Sequence, residues 1–259
     1  MCYYFGGRVD INFQDYLELK ILSEGISIQN DELVFDYKNK DGLSSSFGKG
    51  KKFTPYEKKA SISGNTIYSV YNVKDLKGAP TIKAIKSGVA NSSDYRHFIK
   101  RTAIFISSKI LKKSKPDIVI TPASTSFILN DLIEELKSIM PHVKFLKEKF
   151  SKVLDPKKIT IDLDHPKITD KIIDVLESIL KRAKRDGYFQ LKKVLPQNRK
   201  FLKNYFNLID DYKYEKIKGK NIVLLDDVVS SGSTFEEMIR IIEQYGPNTI
   251  NGVTIFKTK

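Results

Sequence analysis

Residues 222–234 read IVLLDDVVSSGST, and Phe235, Glu236 and Glu237 follow directly. The apolar run from Ile222 to Leu225 has the character of a strand buried on both faces, as in the middle of a parallel sheet. It ends in two carboxylates, Asp226 and Asp227, and the carboxyl edge of such a sheet is where α/β folds bind ligands. Ser230, Ser231, Gly232, Ser233 and Thr234 then lead into a helix. Free N–H groups and the dipole at a helix start favour an anion, small residues let the backbone come close to it, and hydroxyls add donors. Carboxylates touching a phosphate would repel it, so the two features are compatible only with something between them. A sugar meets that need: Asp226 or Asp227 accepts hydrogen bonds from ribose hydroxyls while the serine-rich turn holds the 5′-phosphate.

The remaining pattern fits an α/β chain. Residues 117–121 (DIVIT) predict a short buried strand, 122–126 a polar turn and 127–140 an amphipathic helix. Strands are expected at 143–147, 221–225 and 249–256, and a helix at 235–245 closed by Gly246 and Pro247. Ahead of these, Ile99, Ala103, Ile106 and Ile110 recur at helical spacing behind Ser93 and Asp94, and residues 66–73 and 80–85 read as strands. Residues 36–65 mix Gly, Ser, Lys and Asn and read as loops or a hairpin between short strands. The expected fold is a doubly wound, mostly parallel sheet with an N-terminal β-rich region (1–94), a core (95–259) and a helical insertion at about 153–220. Within the insertion, Ile168, Ile172, Leu176 and Ile179 follow helical spacing, with Thr169 as N-cap and Gly187 as the stop.

Charge is uneven along the 259 residues. Residues 96–220 carry 29 basic and 15 acidic groups, which accounts for the net +14, and between Lys181 and Lys203 nine basic groups face one Asp. A polyanionic partner or a solvated lysine-rich face explains such a run. One Cys, at position 2, and three His exclude a disulfide framework and a Cys/His metal cluster, so a divalent metal would have oxygen ligands. No apolar stretch approaches the roughly 18 residues of a membrane span, and residues 1–10 lack the order of a secretory signal; a cytoplasmic, membrane-free protein is expected.

The 222–234 segment resembles the phosphoribosyl pyrophosphate (PRPP) signature of type I phosphoribosyltransferases over all thirteen residues, and residues 95–259 resemble the family in element order. The resemblance implies that Ser230, Ser231, Gly232, Ser233 and Thr234 bind the 5′-phosphate. It places Ala123, Ser124 and Thr125 on the pyrophosphate, in a loop with small and hydroxyl residues where many members carry basic or Gly-rich ones. Mg²⁺ is the implied cofactor, held by PRPP oxygens and water, with Asp226 as the one protein carboxylate that could help. A closing basic loop is expected before the PRPP strand, drawn from Lys192, Lys193, Gln197, Arg199 and Lys203. Residues 197–206 are similar to competence-associated phosphoribosyltransferase-like proteins in Gln/Arg/Asn/Phe spacing. Residues 181–187 (KRAKRDG) resemble the closing loop of orotate phosphoribosyltransferases, but they finish the amphipathic helix and are read as helix.

The implied reaction is displacement of pyrophosphate from the anomeric carbon of PRPP by a nucleobase-like nitrogen acceptor. Asp226, Asp227, Arg199 and Lys193 are the expected catalytic set. The chain stops just after its last strand, so a hood over the acceptor is expected from residues 1–95 or from the insertion, with Tyr68 and Tyr71 as aromatics able to stack on a base. Cys2 sits where glutamine-dependent PRPP amidotransferases carry a nucleophile, but Tyr3 and Tyr4 replace their Gly-rich continuation, and it is read as a plain terminal residue. The rival reading is a non-catalytic PRPP- or nucleotide-sensing regulator that binds nucleic acid through residues 181–203. A homodimer is a further expectation.

Overall fold

A computed structural model describes residues 26–29, 32–35, 43–45, 60–73, 93–123, 127–153, 155–208 and 216–258. Residues 80–85, read as a strand, Cys2, and Ser124 to Ser126 of the polar turn lie outside the described residues. At the centre is a sheet in which β5 (Asn65–Val73), β12 (Thr249–Thr258), β11 (Asn221–Val229), β6 (Ile118–Pro122) and β7 (Lys144–Lys152) run parallel, in that spatial order. Antiparallel strands finish its edges. β10 (Phe206–Leu208) borders β7, while β3 (Leu43–Ser45) and β4 (Ala60–Ile62) border β5. A hairpin of β1 (Ile26–Gln29) with β2 (Glu32–Phe35) and a ribbon of β8 (Thr160–Ile161) with β9 (Leu202–Lys203) stand apart from this sheet.

Two hydrophobic cores lie on the two faces, which is the signature of double winding. On one, α1 (Ser93–Phe105), its π-helical continuation (Ile106–Leu111) and α2 (Phe127–Ile139) cover Val223, Leu225 and Val253. On the other, α3 (Asp170–Asp186) and α4 (Ser233–Glu243) belong to the core that contains Ile222, Leu224 and Ile250. The expected α/β architecture, N-terminal β region and helical insertion are therefore present. β5 belongs to the N-terminal region in sequence, yet it pairs with β12 from Thr66↔Asn251 to Val73↔Thr258, so that region supplies a strand of the central sheet.

Several boundaries differ from the sequence reading. β7 runs to Lys152 instead of Lys147, because Leu146 and Phe150 are both buried and β10 pairs with residues 150–152, while the charges between them look like loop in sequence. The register shifts between Ile120↔Leu146 and Pro122↔Phe150, and Glu148 takes φ 56° in that irregularity. β11 continues through both acids to Val229, because β12 is long enough to pair with it throughout. Helix α4 begins at Ser233, two residues early.

Helix α3 matches its sequence signals. Leu176, Leu180 and Ala183 are buried at i, i+4 and i+7, Asp170 opens the helix, Lys184 and Arg185 close it against the dipole, and Gly187 ends it at φ 76°. Thr169 is extended at the N-cap, and its carbonyl accepts from Ile172 and Ile173 N–H; its hydroxyl caps nothing.

Candidate functional site

β11 pairs with β12 from Asn221↔Thr249 to Val229↔Lys257, but with β6 only from Ile222↔Ile118 to Leu224↔Ile120. Asp226 and Asp227 stand past the last of these β6 pairings, at the carboxyl edge of the sheet. They are 9% and 4% exposed, and Asp226 Oδ1 accepts the Asp227 backbone N–H at 2.8 Å, which fixes that carboxylate against the strand. Two buried carboxylates at a sheet edge, one of them locally oriented, are equipped to accept hydrogen bonds from sugar hydroxyls.

The serine-rich segment splits into two parts. Ser230 and Ser231 are exposed, Gly232 is the N-cap of α4 at φ 83°, and Ser233 and Thr234 are the first helical residues. Ser231 and Ser233 hydroxyls lie 3.0 Å apart, so one donates to the other. The first intrahelical bond runs from Glu236 N–H to the Gly232 carbonyl, which leaves the amides of residues 233–235 as the unpaired start of an 11-residue helix. Gly232 is required by its φ, which disfavours any side chain, and an added Cβ would also come 2.5 Å from the terminal methyl of Ile62 on β4, which would have to shift. The β4–β5 hairpin thus walls one side of the turn.

Opposite, β6 ends in the loop proposed for pyrophosphate. Thr121 Oγ1 accepts the Glu148 N–H at 3.1 Å, and the Ala123 N–H donates to the Phe150 carbonyl at 2.8 Å. The Ala123 amide is therefore engaged with β7 and is not a donor for pyrophosphate in this arrangement. Of the other two residues assigned there, Ser124 and Thr125 lie outside the described residues.

The insertion grips α4 from its outer side. The Tyr205 hydroxyl donates to the Ser233 carbonyl at 2.5 Å, and burial pushes that phenol well above its ordinary range. Glu237, 3% exposed, is held by Arg240 through Nε at 2.8 Å and a second guanidinium nitrogen at 3.0 Å. The same guanidinium reaches Asn204 Oδ1 at 2.9 Å, and Asn204, at φ 62°, passes its amide to Thr160 Oγ1 at 3.2 Å. Asn204, Tyr205 and Arg240 were not singled out as site residues by sequence reasoning. One signal was present: Glu237 falls on the apolar stripe of α4 beside Met238 and Ile241, and a carboxylate there requires a partner.

Three of the expected closing cations, Arg199, Lys203 and Lys193, have partners within the insertion. Arg199 sits in the 3₁₀ turn Pro196–Phe201, which packs on α4; its Nε donates to the Val194 carbonyl at 3.0 Å, and burial lowers its pKa. Lys203 pairs with Asp162 at 2.7 Å, and Lys193 Nζ lies 5.2 Å from the centre of the Tyr188 ring. Of the two aromatics named for base stacking, Tyr71 is buried, bonded to Thr102 and stacked on Phe98, so it is a core residue; Tyr68 packs at the edge of the same core. Among the described residues no three His, Cys, Asp or Glu are grouped to hold a metal. Among those residues, too, no helix is long and apolar enough to cross a membrane.

The hypoxanthine phosphoribosyl transferase of Trypanosoma cruzi aligns at 14% identity and TM-score 0.34 over 62% of this chain and 64% of that one. The purine phosphoribosyltransferase of Pyrococcus horikoshii Ot3 aligns at 15% identity and TM-score 0.35 over 63% of this chain and 85% of that one. A transcriptional regulator, GfcR of Methanocella arvoryzae, is 46% identical over 37 residues, which is 14% of this chain and 18% of that protein. The match to the phosphoribosyl transferase domain spans residues 94–259, well over half the chain and all of β6, β11, β12 and the cradle, and on that ground the protein belongs to the phosphoribosyl transferase domain family.

Proposed function

We propose that the protein is a Mg²⁺-dependent phosphoribosyltransferase that moves ribose 5-phosphate from PRPP to a nucleobase-like nitrogen acceptor. The observation that carries this is the direct passage of β11 through Asp226 and Asp227 into a Gly232-centred turn at the head of α4. Ser230, Ser231, Gly232, Ser233 and Thr234 hold the 5′-phosphate, with the amides of the first helical turn as donors. Asp226 and Asp227 hold the ribose hydroxyls and orient the anomeric carbon. As the acceptor nitrogen bonds to that carbon and releases its proton to water, the carbon–oxygen bond to pyrophosphate breaks, and the leaving group departs with the bonding pair. Charge stabilisation of that group is the main catalytic task. Asp226 is the protein carboxylate that could help hold a PRPP-bound Mg²⁺, which would supply charge neutralisation at pyrophosphate. Ser124 and Thr125 are the proposed side-chain contacts to pyrophosphate, and Arg199 the closing cation, which must give up the Val194 carbonyl to reach it. Lys193, held over Tyr188, is left out of that role. A cytoplasmic location and a homodimer belong to the same reading.

The test is pyrophosphate release from PRPP and Mg²⁺ with a panel of bases. Release with one base, abolished in Asp227→Asn, supports transfer. PRPP binding without turnover on any base overturns it and supports a second reading: a PRPP-sensing regulator that binds nucleic acid. What favours that second reading is the exposed basic half of α3, with Lys181, Arg182, Lys184 and Arg185, together with the short match to GfcR. Each phosphate neutralised there would steepen the salt dependence of oligonucleotide binding.

A further inference from the structure

Helix α3 and the segment that follows it enclose a groove of about 570 Å³, within the ~300–1,000 Å³ range of small-molecule clefts. None of its lining residues belongs to β11, the serine turn or α4. Its floor is apolar, made by Val175, Ile179 and Ala183 on one wall and Phe189 on the other, and Tyr188 stands at its rim with 44% of its surface exposed. Charge is arranged along it. Asp174 lies at one end of the helical wall and Arg182 two turns further on, about 12 Å away at 1.5 Å per residue. Lys193 is at the groove as well, already placed over the Tyr188 ring.

A groove with an apolar floor, a carboxylate toward one end of its helical wall and a guanidinium toward the other suits a ligand that carries an amine at one end and an anion at the other. We propose that this groove is a second ligand site, separate from the serine cradle, for a nucleoside monophosphate whose base bears an exocyclic amine. The base lies against Ile179 and Tyr188, its amine donates to Asp174, and its phosphate is met by Arg182, which a guanidinium can do in bidentate fashion. An oligonucleotide would need cationic neighbours at both ends, and Asp174 opposes that.

The experiment is calorimetric titration of the full chain with AMP, with purine riboside 5′-monophosphate, which lacks the amine, and with ribose 5-phosphate. Loss of one charge-assisted contact predicts that Arg182→Ala weakens AMP about tenfold or more and leaves ribose 5-phosphate binding unchanged. AMP should bind more tightly than the purine riboside analogue in the wild type, and Asp174→Ala should remove that preference. Asp227→Asn, altered only at the cradle, should retain the Arg182-dependent AMP site. The proposal is overturned if AMP does not bind, if Arg182→Ala binds it as the wild type does, or if Asp227→Asn abolishes all AMP binding, which would place the nucleotide in the cradle. Salt-sensitive binding of a single-stranded oligonucleotide that depends on Arg182, without AMP binding, overturns it in favour of nucleic acid. Thermal unfolding of each variant confirms that the compared chains are folded.

Discussion

Helix α4 is held on two sides by regions of different character. On the sheet side, β11 feeds it through the three residues Ser230 to Gly232, and everything needed is local: an apolar strand, two acids, small residues and one glycine. On the outer side, residues 160–206 hold it through Tyr205, Asn204 and the Arg240–Glu237 pair, whose partners are separated by 28 residues or more except within the helix itself. The inner attachment fixes which groups stand at the helix start. The outer one fixes where the helix sits. A helix start of this kind therefore needs little sequence to specify and a large part of the chain to position.

Breaking the outer attachment should give the largest effect on stability. Arg240→Ala leaves Glu237 buried without its ion-pair partner, and about 3 kcal/mol or more of unfolding free energy is expected to be lost in a urea titration. Replacing both members by apolar residues, Glu237→Leu with Arg240→Met, should restore most of it, since the buried charge is then gone. Gly232→Ala attacks the inner attachment. It combines a left-handed backbone cost of about 1–2 kcal/mol with overpacking against Ile62. Adding Ile62→Ala should relieve the second part only, so the double variant stays less stable than Ile62→Ala alone; equal stability would mean the backbone conformation is unimportant.

Smaller effects sharpen the same contrast. Tyr205→Phe removes one buried hydrogen bond to the Ser233 carbonyl and should cost about 1 kcal/mol, with ribose 5-phosphate affinity nearly unchanged if the outer side only positions the helix. The smallest effect is a pH dependence. Burial raises the Glu236 carboxyl above its ordinary 4.5, with His165 and Lys200 partly offsetting this, so its folded form favours the proton. Its contribution is therefore present in acid and lost as pH rises from about 4.5 through the raised value. Glu236→Gln should flatten that stretch of the stability–pH curve, and an unchanged slope would remove Glu236 from the account.

The contrast also explains what could be read from the chain. Apolar runs, the acid pair, Gly232 and Gly187 encode their conformations within a few residues, so β6, β11, β12 and the four helices were legible with boundaries off by a few positions. The continuation of β11 through Asp226 and Asp227 depends on how far β12 extends beside it, and that of β7 on an irregularity anchored by Thr121. Placement of β5 in the central sheet is a pairing across 185 residues, from Thr66 to Asn251, that no local pattern announces. Arg199 looked like a mobile cation because its charge is visible in sequence, whereas the Val194 carbonyl that receives it is not.

Vectorial synthesis gives the Tyr205–Ser233 contact a further meaning. Tyr205 and Asn204 leave the ribosome before Ser233 and Arg240, so the seat for α4 precedes its occupant, whereas β11 must wait for β12 to complete its ladder. Docking of α4 then joins residues made early, 204 and 205, to residues made late, 233 and 240.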